Sequence, residues 1–305
     1  MERKPTRDAG AGFRPGVSAG VVAVLVGANV LNNRLAPRLA PLTSAVATGA
    51  LLLLARRSGI SWSELGFHER SRGLRIGGVL ASAVAGVYAV GVTVPVTRRF
   101  FRDERALSLS HARALEEALV QVPVGTVLLE EVGFRGVVHA LVARSHGHGT
   151  ATAASSILFG LWHVLPAVDM MAANPALSRL ASGEAPTRDS GAPGTPAGAP
   201  GWQVTRVVAG SVVATGLAGV LFTELRRRGG LMAPAMFHVA TNSLGYLFAR
   251  LAPPDPAARE DPAPPATRAG GRRWWRTKVD GVQGERGPGD LLGGQAVKTR
   301  WKAST

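Results

Sequence analysis

Three clusters of polar residues stand inside otherwise apolar stretches, and their spacing sets out a chemistry. Glu130, Glu131 and Arg135 lie near the middle of the apolar run 118–143. An ionisable side chain at a helix centre in lipid costs roughly 2.5 to 3.5 kcal/mol on insertion scales, so these three must be paired or face a wet cavity. Residues four apart share a helix face, which makes Glu131 and Arg135 an ion pair in the favourable acid-before-base order. Glu130 is rotated by about 100° and left free. The same spacing recurs in Phe159-Gly-Leu-Trp-His163 and in His238-Val-Ala-Thr-Asn242. Glu130, His163, His238 and Asn242 together supply a base, two imidazoles and an amide, the groups needed to activate water and to hold an oxyanion. Taken singly, each also fits a helix-to-helix hydrogen bond.

The elements that must position these groups are apolar helices. Hydrophobic residues make up 46% of the 305-residue chain and charged residues only 18%, while the formal net charge is +15. A soluble domain carries about 25% charged residues, so a membrane protein with separate basic segments is expected. Seven candidate spans follow, at 16–32, 40–55, 76–97, 118–143, 150–168, 207–225 and 231–251. The expected fold is an all-α, polytopic bundle of about seven spans, or eight. None of the runs shows the short alternating segments of a membrane barrel. The first is read as a retained span, since no small-residue cleavage site follows it. The expected organisation is a basic tail at 1–15, a membrane domain at 16–251 with a motif core at 118–251, and a basic, Pro- and Gly-rich tail at 252–305. Within the domain, 169–203 reads as a flexible low-complexity loop. The tail cluster Arg272-Arg-Trp-Trp-Arg-Thr-Lys278 reads as solvated, with a membrane-surface anchor as the alternative. Its charge comes with no nucleic-acid-binding fold, so nucleic acid is not an expected partner.

The stretch Glu130-Glu-Val-Gly-Phe-Arg-Gly136 resembles the Glu-Glu-x-x-x-Arg motif of the CPBP group of membrane endopeptidases, also called the Abi or CAAX-protease family. Phe159-x-x-x-His163 and His238-x-x-x-Asn242 resemble that family's second and third motifs, in the same order. The family includes the endopeptidase that trims prenylated proteins. The resemblance covers roughly 118–251 and implies an all-helical membrane fold and a glutamate-dependent peptidase without a cofactor. It implies that Glu130, assisted by His163, activates water, while His238 and Asn242 polarise the scissile carbonyl and hold its oxyanion. Glu131 and Arg135 are then structural, and Phe159 packs beside the site. The implied partners are the lipid bilayer, with the cell membrane as the expected location, and a peptide or protein substrate, prenylated or membrane-bound.

Other chemistries compete. With no cysteine there is no thiolate nucleophile and no Cys-based metal site. The zincin pattern is absent at His68-Glu69, although Glu130, His163 and His238 could supply three zinc ligands. Gly16-Val-Ser-Ala-Gly20 matches a nucleophile pattern but opens an apolar helix, so Ser18 reads as a packing residue. His146 and His148 read as part of a solvated turn, and His111 and His139 belong to no pattern. A non-catalytic scaffold or immunity protein of the same family remains an alternative. A transporter would also place ionisable groups at midplane, but the sequence shows no internal repeat and no paired broken helices of the kind transporters carry.

Overall fold

In hydrocarbon every backbone N–H and C=O must be satisfied within the chain, and long uncharged aliphatic runs meet that demand as helices. The computed structural model describes residues 15–184 and 201–252, and these are helical, with no strand among them. The expectations for the 1–15 tail up to residue 14, for the centre of the low-complexity loop and for the tail from 253, including the Arg272 to Lys278 cluster, lie outside the described residues.

Helix α1 (Pro15–Val30) ends in a π-helical turn at Leu31–Leu35 and is followed by α2 (Ala40–Arg57) and α3 (Arg70–Thr93). Short helical turns lead to a long helix that begins at His111. Gly147, at φ 79° and ψ 168°, divides it into α4 (residues 111–146) and α5 (residues 148–162). That backbone conformation is essentially confined to glycine, which is why the expected 144–149 link needs no longer insertion. Then come α6 (Val164–Ala173), α7 (Pro175–Ala181), α8 (Gly201–Gly229) and α9 (Met232–Leu251). The segment expected to be flexible from residue 169 is therefore helical as far as Ala181. Pro175 at a helix start and the Asn174 side chain, which accepts from the Leu177 N–H, begin the extra helix.

Among the described residues, four helices are long and apolar enough to cross a bilayer: Pro15–Leu35, Pro37–Arg57, Arg70–Thr93 and Gly201–Gly229. A fifth is added if His111–Trp162 and Val164–Ala173, bent by 43°, count as one broken span. Length and composition thus support four or five, where the sequence reading expects seven or eight. Helix α9 falls outside that set because His238, Asn242 and Arg250 interrupt its apolar run.

The bundle is apolar on both its inside and its outside. Val22, Val46, Val87, Leu119, Ile157 and Leu217, large apolar side chains on several different helices, all point outward, where acyl chains accommodate them. Inside, small residues let helices approach closely. A Cβ on Gly77 of α3 would meet the Met236 side chain of α9, and one on Gly160 of α5 would meet the Val212 carbonyl of α8. Helix α4 is surrounded: every residue from Leu129 to Ala140 is buried. A helix enclosed on all sides buries adjacent residues alike, and both motif glutamates are consequently inside.

The links gather at two ends. At one, the Arg144 guanidinium contacts Glu64 at 2.7 and 2.9 Å and the Ser58 and Gly59 carbonyls, while Arg226 donates to the Glu64 carbonyl and the Leu231 N–H to that of Gly66. Arg144, with help from Ser61, holds the Glu64 carboxyl down at about 2, so this clamp stays ionised at neutral pH. At the other end Arg34 pairs with Asp169 at 2.9 Å, Asn174 donates to the Phe100 carbonyl, and Arg250 donates to the carbonyls of Ala106 and Leu109.

Candidate active site

The long helix that carries the first motif departs from α geometry. Pro123 has no N–H to give, and residues Glu117–Val127 and Glu131–Val138 run in an i→i+5 ladder, with the Leu128 N–H on the Pro123 carbonyl. Such π-helical stretches cluster at functional sites. Between them sits Glu130, 3% exposed, followed by Glu131 at 2% and Arg135 at 0%.

Each carboxylate has its own partners. The indole N–H of Trp162, at the end of α5, donates to Glu130 Oε1 at 2.8 Å. Glu130 Oε2 has no hydrogen-bond partner among the described residues and lies 3.7 Å from His238 Nε2, too far for a direct hydrogen bond. Glu131 Oε1 accepts from His238 Nδ1 at 2.8 Å, which fixes the imidazole ring between the two glutamates. Arg135 Nη1 is 3.4 Å from the same Glu131 oxygen. The guanidinium has no hydrogen bond among the described residues and lies between two aromatic faces, 3.7 Å from the Phe159 ring centre and 4.8 Å from that of Phe222.

The structure therefore brings together Glu130, Glu131, Arg135, Phe159 and His238. The Phe159 ring sits edge-on to His163 at 4.6 Å and to His238 at 6.1 Å. His163 ends α5, half-buried, with Nδ1 donating to the Phe159 carbonyl at 2.8 Å. Because a carbonyl only accepts, that bond places the proton on Nδ1 and leaves Nε2 for another partner. Asn242 is half-buried one turn beyond His238. No hydrogen bond joins His163 or Asn242 to either glutamate among the described residues.

Two residues absent from the sequence expectations complete the cluster. Trp162 not only holds Glu130 but packs edge-on against Phe134 at 5.5 Å. Asn29 of α1, buried, donates from its side chain to the Trp162 carbonyl at 2.9 Å. A Trp inside an apolar helix carries an N–H that needs an acceptor, and that is the signal the sequence offers. Asn29 offers a similar one as the first amide of an uncharged run. Around the cluster, the Ser155 hydroxyl donates to the Phe134 carbonyl and that of Ser243 to the Ala118 carbonyl, tying α5 and α9 to α4.

Residues 117–244 match the family model Rce1-like, described as type II CAAX prenyl endopeptidase Rce1-like. That segment is similar to the CAAX-protease family. No curated protein and no solved structure matches it. The matched segment contains Glu130, Glu131, Arg135, Phe159, His163, His238 and Asn242, while Asn29 lies before it. The match points to a membrane protease of the CAAX type and to a peptide or protein substrate in a membrane.

One prediction arises from Trp162 directly. Trp162→Phe keeps the aromatic packing and removes the N–H that orients Glu130. A hydrogen bond to a charged group is worth about 1.5–3 kcal/mol, so the melting temperature should fall by about 3–12 °C and, with the carboxylate no longer oriented, turnover of the protein that remains folded should fall about 10- to 100-fold. The pH–rate profile should move as well, because the carboxylate loses its donor. Unchanged turnover and profile would remove the indole from the machinery.

Proposed function

We propose that this protein is an intramembrane glutamate-type endopeptidase whose domain spans 16–251. Glu130 takes a proton from water with assistance from His163, and His238 with Asn242 holds the oxyanion of the scissile carbonyl. The observation that carries this reading is the buried Glu130 carboxylate, held through one oxygen by Trp162 and without a hydrogen bond at the other among the described residues, beside an imidazole fixed by Glu131. A water beside the 3.7 Å gap between Glu130 Oε2 and His238 Nε2 reaches both atoms. His238 donates to an oxyanion from Nε2 in its doubly protonated form, with Glu131 as counter-charge. His163 directly follows Trp162, and its Nε2 is available to a second water proton. Attack on the carbonyl then forms a tetrahedral oxyanion, and the proton held by Glu130 passes to the leaving amine.

The rival reading, zinc held by Glu130, His163 and His238, finds less support, since no three His, Asp or Glu side chains form a metal-binding group among the described residues. Turnover of a labelled peptide by the purified protein in detergent tests the choice. Activity should persist through extended chelation, and metal analysis should find no stoichiometric zinc. Inhibition by chelator that added Zn²⁺ reverses would establish the zinc reading instead.

The same reading includes seven crossings in the cell membrane, with the N-terminus cytoplasmic. In its support, the links 58–69, 143–149 and 226–231 meet at one end of the bundle and the links 31–39, 94–110 and 163–184 at the other. The first end carries Arg56, Arg57, Arg70, Arg72, Arg75, Arg144 and Arg226 to Arg228, to which a cytoplasmic N-terminus adds Arg3, Lys4, Arg7 and Arg14; the second carries Arg34, Arg38, Arg98, Arg99, Arg102, Arg105, Arg113, Arg179, Arg206 and Arg250, fewer than the first, and the more basic face is the cytoplasmic one. Reporter fusions after Arg57, Arg144 and Arg228 should all report inside, and a fusion after Leu251 should report outside. The first three reporting outside would invert the orientation, and Leu251 reporting inside would overturn the count of seven.

A further inference from the structure

At the basic end of the bundle, about two helical turns beyond Arg135, a cavity of about 270 Å³ opens between three links. Glu64, His68, His139, Arg144, His148 and Arg226 line it. Its electrostatics do not balance. Arg144 is matched by Glu64 at 2.7 Å, but Arg226, only 8% exposed, has no carboxylate within ion-pair distance among the described residues. Its Nη2 donates to the Glu64 carbonyl, and its Nε has no partner among them. His139, 3% exposed, likewise has an unpartnered Nδ1. The His148 ring stacks on His139 at 5.7 Å, holding a second imidazole over the cavity.

A buried cation without a counter-charge is costly, and leaving two buried polar nitrogens unpaired adds to that cost. Both are relieved by an anion that accepts several hydrogen bonds. A single water occupies about 30 Å³, so the cavity has room for a tetrahedral oxyanion with part of its hydration shell. The surrounding links concentrate arginines at what becomes a membrane–water boundary, where basic pockets between helices receive anionic headgroups. We propose that this cavity is a binding site for a phosphate group, supplied either by an anionic lipid headgroup or free in solution. Arg226 provides the charge, His139 an additional hydrogen-bonding nitrogen, and His148 the polar mouth. The site is separate from the glutamate cluster and does not depend on the proposed peptidase mechanism.

The test uses the full-length protein and its melting temperature, since a ligand that binds the folded state raises it in a concentration-dependent way. In detergent, inorganic phosphate is compared with acetate at equal ionic strength. In nanodiscs, phosphatidylcholine alone is compared with phosphatidylcholine containing phosphatidic acid. A rise with both phosphate and phosphatidic acid supports the site for either source; a rise with only one supports the site and identifies that source. No rise with either, or an equal rise with acetate, overturns the proposal. Arg226→Gln keeps most of the side-chain volume and should raise the apparent Kd about tenfold or more, the loss expected on removing a charged donor. Should Arg226→Gln fail to fold, His148→Ala at the exposed mouth provides the second variant, expected to weaken binding several-fold. An unchanged phosphate response in the folded variants would also overturn the assignment.

Discussion

Glu130→Gln should leave a folded, membrane-inserted protein whose peptide turnover is reduced about 100- to 10,000-fold, the usual cost of losing a general base. The substitution is nearly isosteric, and the Gln carbonyl oxygen can still accept from the Trp162 indole, so the packing around α4 and α5 is retained. What disappears is the proton acceptor at the oxygen facing His238, which has no hydrogen bond among the described residues. The control is the melting temperature: it should stay near that of the parent, and it should rise if the buried charge was the costlier state. Turnover by this variant at the parent's rate would sink the assignment of Glu130, and with it the glutamate mechanism, while leaving the family similarity of residues 117–244 untouched. A loss of activity accompanied by loss of folded protein would send the test to Trp162→Phe, which reaches the same carboxylate from outside.

Much of the site is legible from spacing alone, because the four-residue rule speaks within one helix. It places Arg135 by Glu131, observed at 3.4 Å, and His163 on the Phe159 face, observed as a ring contact and a hydrogen bond to that residue's carbonyl. The rule is silent between helices. The His238 bond to Glu131 joins residues 107 apart, and the Trp162 bond to Glu130 joins residues 32 apart. Both depend on which helix faces settle against α4. That is decided by small residues such as Gly77 and Gly160, whose close approaches have no periodic signature beyond their size. Spacing consequently pairs Glu131 with Arg135 alone, whereas its carboxylate also orients His238. Helix runs further into the low-complexity stretch, as far as Ala181, than its composition implies for a related reason. Composition starts it at Asp169, but that residue is anchored by Arg34 of the π-helical turn after α1, an ion pair across 135 positions. The π-helical stretches are signalled only by Pro123, a residue that more commonly kinks or ends a helix.

Arg135 carries the largest expected effect on stability. It is wholly buried, its nitrogens make no hydrogen bond among the described residues, and its charge is balanced there by Glu131 at 3.4 Å and by the faces of Phe159 and Phe222. Arg135→Ala strands the Glu131 charge and opens a cavity between two aromatic rings, so it should cost about 3–5 kcal/mol. For a protein of this size, about 2–4 °C is lost per kcal/mol, which predicts a fall in melting temperature of about 6–20 °C. Arg135→Met separates the two contributions, since it fills the volume without the charge. Pairing Arg135→Met with Glu131→Gln then removes the stranded carboxylate, and the double variant should be more stable than either Arg135 single variant. Its activity should nonetheless remain low, because His238 Nδ1 would face an amide in place of the carboxylate that holds and counter-charges the ring. If instead the double variant melted no higher than Arg135→Met, Glu131 would not be the charge that Arg135 neutralises, and the three-residue chain from Arg135 through Glu131 to His238 would have to be redrawn.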